Sequence, residues 1–197
     1  EHQREREDVP LPPGTGHPLV KALLRINDLA HDGDRLVEVL LVSRNDADSG
    51  LRLLNSIEHL GLDISRDLFL GGSPAHAYLK AIQSDLFLSA EERDVQRALE
   101  AGVAAGLVYR PPNRAEPEPD DKVRLAFDGD AVLFGPKSEQ RFQAEGLAEF
   151  KRYEAEHEDE PLDPGPFRGF LESLCRIQEY FGEEHSPIRT ALVPARD

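Results

Sequence analysis

Hydrophobic positions along the chain follow two periods, one typical of amphipathic helices and one typical of short buried strands. Apolar residues at i, i+3 and i+4 predict helices over residues 18–29, 49–57, 74–80, 90–104 and 167–181. Short apolar runs predict strands over residues 36–42, 68–70, 85–88, 106–109, 123–127 and 188–193. Because strands and helices alternate, the pattern predicts an α/β fold with a Rossmann-like parallel sheet flanked by helices.

The sequence also repeats itself at a spacing of 151 residues, without a gap. The matching residues are Glu7-Asp8 with Glu158-Asp159, Pro10-Leu11 with Pro161-Leu162, Pro13-Gly14 with Pro164-Gly165, Leu23 with Leu174, Arg25-Ile26 with Arg176-Ile177, and Leu41-Val42 with Leu192-Val193. We therefore expect a duplicated unit: a first copy at residues 1–110, an acidic, proline-rich linker at 111–121, and a second copy from 122 to 197. The chain has no methionine, and we expect it to be a fragment that cuts the duplication at both ends.

Two carboxylates, Asp128 and Asp130, lie one residue apart at the end of the strand that begins at Val123. Open α/β sheets bind ligands at the carboxyl ends of their strands. There Asp128 could attack a phosphorus atom, and Asp130 could protonate the leaving oxygen and then activate water. Mg²⁺ would offset the repulsion between carboxylate and phosphate. Asp-Gly between two apolar runs is also a β-hairpin signal, so both interpretations stay open for this stretch.

Composition narrows the range of partners. A net charge of −15 over 197 residues disfavours binding to nucleic acid or to an anionic membrane, and no apolar run reaches the length of a membrane span. The single cysteine, Cys175, cannot form an internal disulfide; its apolar neighbours predict a core position, and its solitude predicts a reducing, cytoplasmic compartment. The seven histidines show no paired ligand spacing typical of zinc sites.

The turn after the second predicted strand reads Gly71-Gly72-Ser73-Pro74. Ser73 is a favourable N-cap and Pro74 suits a first helical position, so the turn predicts the start of a helix. A glycine-rich turn between strand and helix could instead hold a phosphate on its backbone amides. We favour the capping role.

Longer motifs resemble the cytosolic 5′-nucleotidase type I family, phosphatases of the haloacid dehalogenase-like superfamily. The most specific are Val-Arg-Leu-Ala-Phe-Asp-Gly-Asp-Ala-Val-Leu-Phe at 123–134, Glu-His-Glu-Asp-Glu-Pro-Leu at 156–162, and Pro-Ile-Arg-Thr-Ala-Leu-Val-Pro-Ala-Arg at 187–196. Residues 52–57 and 78–81 resemble the first half of the same family. The resemblance covers nearly the whole chain and implies a haloacid dehalogenase-like fold that hydrolyses nucleoside 5′-monophosphates.

The resemblance also implies roles for particular residues. By this resemblance, Asp128 is the nucleophile and Asp130 is the general acid and base. The Asp128 carboxylate and the Asp130 carbonyl hold Mg²⁺, and Gly129, between them, contacts the substrate. The superfamily's second motif ends in a hydroxyl residue, whereas Pro194 stands at that place. In the first copy the corresponding position is Ser43, and the third motif's lysine corresponds to Lys80.

In that first copy, Ser89-Ala90 stands where the superfamily places paired metal-binding acids, so we expect a degenerate, mainly structural half. A sharper hypothesis is that Ser43 and Lys80 lie beside Asp128 in one sheet and complete its phosphate site. Two other functions stay open: a phosphatase for another small phosphate ester, and a catalytically inactive nucleotide-binding or interaction module. Homo-oligomer formation also stays open.

Overall fold

A computed structural model describes residues 9–109, 122–128 and 165–193 of the chain. Within these ranges the chain forms five α-helices and six β-strands. The helices are α1 (His17–Leu29), α2 (Ala47–His59), α3 (His76–Leu79), α4 (Glu92–Glu100) and α5 (Arg168–Phe181). The strands are β1 (Leu40–Ser43), β2 (Arg66–Phe69), β3 (Phe87–Ser89), β4 (Ala105–Leu107), β5 (Val123–Asp128) and β6 (Ile188–Val193). The α/β class predicted from the sequence is confirmed.

The described strands pair in parallel, as predicted, but they form three two-stranded sheets rather than one sheet. β1 pairs with β2, β3 with β4, and β5 with β6. A helix lies between the two strands of each pair along the chain: α2, α4 and α5, respectively. The described fold is therefore a series of three β-α-β units preceded by α1.

One hydrophobic core of the described residues joins α1, near the start of the chain, to β5, α5 and β6. Its buried members are Ile26 from α1, Val123 and Phe127 from β5, Leu174 from α5, and Ile188 from β6. Ile26 and Ile188 are at most 1% exposed. The helix α1, which the sequence places in the first copy, thus shares a core with the strand that carries Asp128.

A second core lies within the β3–α4–β4 unit. It contains Leu79 from α3, Val95 and Ala98 from α4, and Val103 and Ala105 around β4. Small residues allow the helix to approach the strands closely, since Ala98 and Ala105 are almost completely buried. No buried cluster found in the described ranges joins this core to the first one.

The predicted strand over residues 36–42 begins only at Leu40, because an asparagine binds the backbone that precedes it. The side-chain oxygen of Asn27 accepts hydrogen bonds from the N–H groups of Leu36 and Val37, each at 2.9 Å, and its amide nitrogen donates to the Val37 carbonyl at 2.7 Å. These backbone groups are then no longer available to a strand ladder. The Asn27 side chain, on α1, therefore determines where β1 begins.

The helix predicted from Pro74 is shorter than expected. Gly71 and Gly72 have φ values of +53° and +89°, and α3 begins only at His76, with Ala75 at its N-cap. No side chain caps this helix, so the predicted capping role of Ser73 is wrong. The two left-handed glycines extend the turn beyond the point at which Ser73 could act as a cap.

The predicted core position of Cys175 is also wrong, because its side chain is exposed. Its neighbour Leu174 is 3% exposed and occupies the face of α5 that packs on the sheet. A residue adjacent to a buried position on a helix lies about 100° away around the axis, so Cys175 points to solvent. Apolar sequence neighbours alone do not identify the buried face.

The motif at residues 52–57 has a structural role in α2. The Arg52 Nε donates to the carbonyl of Val9 at 2.8 Å, and the hydroxyl of Ser56 accepts from the Leu11 N–H at 2.9 Å. The Ser56 hydroxyl also donates to the Arg52 carbonyl at 2.6 Å, and Ser56 is 2% exposed. These contacts attach the segment before α1 to the surface of α2.

In the part of the chain that the structure describes, no helix is both long and apolar enough to cross a membrane.

Candidate active site at the carboxyl end of β5

Asp128 is the last residue of β5 and is exposed, whereas the residue before it is anchored in the core. The Phe127 ring makes edge contacts with Phe167 and Phe170, with ring centroids 6.5 Å and 6.2 Å apart. Successive side chains of a strand point to opposite faces, so burial of Phe127 directs Asp128 away from this aromatic cluster. The sequence thus places an exposed carboxylate on a firmly packed strand.

The pairing of β5 bears on the two interpretations of the Asp-Gly turn. β5 pairs with β6 in parallel over six residues, from Val123 opposite Ile188 to Asp128 opposite Val193. Residues 129–134, which a hairpin would require, lie outside the described residues, as do Gly129 and Asp130 of the predicted site and Pro194 after β6. In the described part, Asp128 ends a parallel strand, which is the setting in which α/β folds bind ligands.

Ser43, which the sequence repeat aligns with Pro194, lies at the carboxyl end of β1. Its hydroxyl accepts a hydrogen bond from the N–H of Asn45 at 3.2 Å, and its carbonyl accepts from the N–H of Leu70 at 2.8 Å. Because β1 pairs with β2 and β5 pairs with β6, the described strands that end in Ser43 and Asp128 belong to different sheets.

Lys80 directly follows α3, whose last residue, Leu79, packs in the core of the β3–α4–β4 unit. It is exposed, and its ammonium nitrogen lies 3.7 Å from the position that a Cβ atom on Gly102 would occupy. Gly102 has φ +75°, so a glycine suits both the turn and the close approach of the lysine. The described residues of the predicted site therefore come from three parts of the fold: the end of β1, the end of β5 and the segment after α3.

The glycine-rich turn after β2 cannot hold an anion on its amides in this conformation. The N–H groups of residues 71–73 already donate to the carbonyls of Asn45, Arg44 and Leu70, at 3.1, 2.7 and 3.0 Å respectively. A backbone amide has one proton to donate. The turn instead joins the carboxyl ends of β1 and β2.

Sequence reasoning missed an ion pair between Arg44, directly after β1, and Asp94, in the first turn of α4. The Asp94 side chain is only 9% exposed, while that of Arg44 is 50% exposed. The two residues are 50 positions apart, and no local pattern marks them as partners. A buried carboxylate requires compensation, but the sequence alone does not show that Asp94 is buried.

A metal site is not complete within the described residues, since no group of three or more His, Cys, Asp and Glu side chains there could hold an ion. The Asp128 carboxylate is one exposed, hard oxygen donor. Mg²⁺ commonly uses only one or two protein carboxylates and completes its shell with water and substrate phosphate. The chemistry of the one described donor therefore fits Mg²⁺.

Comparison with known proteins shows the family of this chain. The sequence profile described as 5′-nucleotidase matches residues 1–197. The chain is also 39% identical over 206 aligned residues to the human protein cytosolic 5′-nucleotidase 1B, a match that covers 100% of this chain and 33% of the human protein. The chain thus spans about a third of the length of that relative. No solved structure shows a significant match. On this evidence, the chain belongs to the 5′-nucleotidase family.

Proposed function

We propose that this chain forms part of a Mg²⁺-dependent 5′-nucleotidase that hydrolyses nucleoside 5′-monophosphates through an aspartyl-phosphate on Asp128. Family membership over the full chain supports the reaction class. The observation that carries the assignment of the nucleophile is the position of Asp128, which is exposed at the carboxyl end of a parallel strand. The family match and the position of Asp128 both support phosphoryl transfer as the reaction of this site.

The reaction proceeds in two displacements. A carboxylate oxygen of Asp128 forms a bond to phosphorus, the bond from phosphorus to the ribose 5′-oxygen breaks, and Asp130 gives that oxygen a proton. Asp130 then takes a proton from water, the water oxygen bonds to phosphorus, and the acyl-phosphate bond breaks to release inorganic phosphate. Asp128 returns to its starting state, so the carboxylate is regenerated in each turnover.

The proposed cation site uses the Asp128 carboxylate and the carbonyl of Asp130. Bound Mg²⁺ supplies positive charge that lowers the repulsion between the Asp128 carboxylate and the phosphate oxygens. The protein's own contribution is to hold Asp128 still, and the packing of Phe127 against Phe167 and Phe170 provides that rigidity.

Gly129, Ser43 and Lys80 are proposed to bind the substrate phosphate. Lys80 supplies an exposed positive charge in a chain whose net charge is −15, so local attraction matters more than the field of the whole molecule. Ser43 lies at a strand's carboxyl end, as Asp128 does. Their action at one phosphate requires that the carboxyl ends of β1 and β5 and the segment after α3 face a common space.

We also propose the haloacid dehalogenase-like, Rossmann-type fold and the duplication as its origin, with the unit boundaries expected from the sequence. α1 begins at His17 and α5 at Arg168, which is the spacing of 151 residues found in the sequence repeat. Both helices pack in the same core around β5 and β6. A cytoplasmic location is proposed as well, since the human relative is described as cytosolic.

The test compares the full-length gene product with its Asp128→Asn variant on a panel of nucleoside 5′-monophosphates, with and without Mg²⁺. We expect phosphate release to fall at least about 1,000-fold in the variant, since the nucleophile is lost. Asp67→Asn is the matched control, because Asp67 is also an exposed strand aspartate but lies on β2. Hydroxylamine should trap the acyl-phosphate on the peptide that contains Asp128.

Each result has a defined meaning. Equal activity in wild type and Asp128→Asn contradicts the assignment of the nucleophile. Turnover of other small phosphate esters, with none of nucleotides, favours the general phosphatase. Nucleotide binding without turnover in the wild type favours an inactive binding module.

A further inference from the structure

We propose that the Arg44–Asp94 ion pair is a positioning element that joins the β1–α2–β2 unit to the β3–α4–β4 unit, and thereby fixes Ser43 relative to Lys80. The inference rests on the proposed function, because Ser43 and Lys80 are its phosphate-binding residues. It adds two positioning residues that the sequence motifs do not include.

The first step of the argument concerns the place of Arg44 in its own unit. Its carbonyl accepts the N–H of Gly72 at 2.7 Å, and the neighbouring Asn45 carbonyl accepts the N–H of Gly71 at 3.1 Å. Ser43, directly before Arg44, accepts from Leu70. Arg44 therefore lies in a hydrogen-bonded turn that connects the carboxyl ends of β1 and β2, and a movement of Arg44 would move the Ser43 turn with it.

The second step concerns the place of Asp94 in the other unit. Asp94 lies in the first turn of α4, and the next residue, Val95, belongs to the core that also contains Leu79. Lys80 directly follows Leu79, which is 1% exposed. Asp94 and Lys80 are thus each adjacent to a residue of one packed core, so they move as one body.

The third step concerns the energy of the contact. A carboxylate that is 91% shielded from water loses much of its hydration, and a paired guanidinium compensates for that loss. The buried clusters of the described ranges do not connect the two units, since the second core contains only residues between Leu79 and Leu107. The ion pair is therefore well placed to hold their carboxyl ends together.

The test uses the full-length protein and two readouts. First, in Asp94→Asn we expect the amide protons of Gly71 and Gly72, in the other unit, to exchange about tenfold faster. This loss of protection lies between the small stability contribution of an exposed ion pair and the larger one of a buried ion pair. Glu100→Gln is the matched control, because Glu100 is an exposed acid on the same helix. Its hydrogen bond is to Gln96, which also lies on α4. That control should leave both amides unchanged.

Second, in Arg44→Gln we expect the KM for a nucleoside monophosphate to rise about tenfold with a smaller change in kcat, because phosphate binding is disturbed and the nucleophile is on another unit. Arg44→Lys should recover part of the loss, since it restores the charge. Arg66→Gln is the control: Arg66 pairs at 2.8 Å with Glu38 in an exposed ion pair that does not involve the β3–α4–β4 unit.

Faster exchange together with a raised KM supports the proposal. Unchanged exchange of Gly71 and Gly72 in Asp94→Asn overturns it, and so does faster exchange with an unchanged KM, which would leave only a structural contact. A wild-type protein without any turnover ends the proposed function and the positioning role with it. The exchange measurement then still shows whether the pair joins the two units, so the two failures are distinguishable.

Discussion

A side chain at Gly50 in α2 is predicted to destabilise the protein, because the ring of Phe69 occupies the space. A Cβ atom added at Gly50 would lie 2.3 Å from both Cε1 and Cζ of that ring, whereas ordinary van der Waals contacts are 3.4–4 Å. Relief of the contact requires a shift of more than 1 Å. Gly50 is buried, and the ring lies on β2, so the closeness of α2 to its own sheet depends on this glycine.

The size of the effect follows from two opposing terms. Replacing glycine by alanine in a helix interior stabilises the helix by about 1 kcal/mol. Overpacking costs about 1–3 kcal/mol, and an overlap of more than 1 Å belongs at the upper end of that range. We therefore expect Gly50→Ala to lower the free energy of unfolding by about 1–2 kcal/mol, which for a protein of this size lowers Tm by about 2–8 °C.

The measurement is urea unfolding followed by circular dichroism, with Gly169→Ala as the matched control. A Cβ atom at Gly169, in the first turn of α5, would meet nothing within 4 Å, so this variant should gain up to about 1 kcal/mol. In Phe69→Leu, the Gly50→Ala change should cost less, because the smaller side chain leaves room. If Gly50→Ala stabilised the protein as much as Gly169→Ala, the tight packing of α2 on β2 would be refuted.

Two further predictions concern the segment after α1. Asn27→Ala should lower the free energy of unfolding by about 2–3 kcal/mol, since three hydrogen bonds to the backbone of Leu36 and Val37 are lost. Urea unfolding measures this change, and an unchanged midpoint would contradict the role of Asn27 in setting the start of β1. Partial removal from water raises the pKa of Tyr180, and its hydrogen bond to Asp34, at 2.7 Å, raises it further. With a raised pKa in the folded state, the unfolded chain loses the phenolic proton at a lower pH than the folded protein does. The free energy of unfolding should therefore fall as pH rises above about 10, the usual pKa of tyrosine. A spectrophotometric titration of the folded protein measures this, and the idea is contradicted if Tyr180→Phe removes no tyrosine that titrates late.

Segments with a strong apolar pattern were predictable because local preference determines their secondary structure. The strand predicted at residues 188–193 matches β6, and the helix predicted at 18–29 differs from α1 by one residue at its start. Ile26 is almost completely buried in α1, so the hydrophobic pattern reports burial there. In β6 only Ile188 is buried, and the strand preference of its apolar residues accounts for the prediction. The carboxyl-end position of Asp128 was predictable for the same reason.

Features that depend on contacts between distant residues were not predictable. The start of β1 depends on Asn27, whose bonds to Leu36 and Val37 have no signature in the pattern of apolar residues. The Arg44–Asp94 pair depends on the burial of Asp94, which follows only from the packing of α4. Division of the described strands into three pairs is likewise a tertiary property, since local preference favours a strand without specifying its partner.

The glycine-rich turn and the Ser43 hydroxyl, both in the β1–α2–β2 unit, differ in the hydrogen bonds that they can still donate to a phosphate. The amides of residues 71–73 each have one proton and donate it to a backbone carbonyl, so nothing is left for an anion. The hydroxyl of Ser43 accepts from Asn45, and a hydroxyl that accepts one bond still has a proton to donate. Its structural bond also orients the oxygen at the end of β1. A side chain can thus stabilise the turn and donate to a phosphate oxygen at once, so Ser43 suits the proposed reaction better than the amides of the glycine-rich turn do.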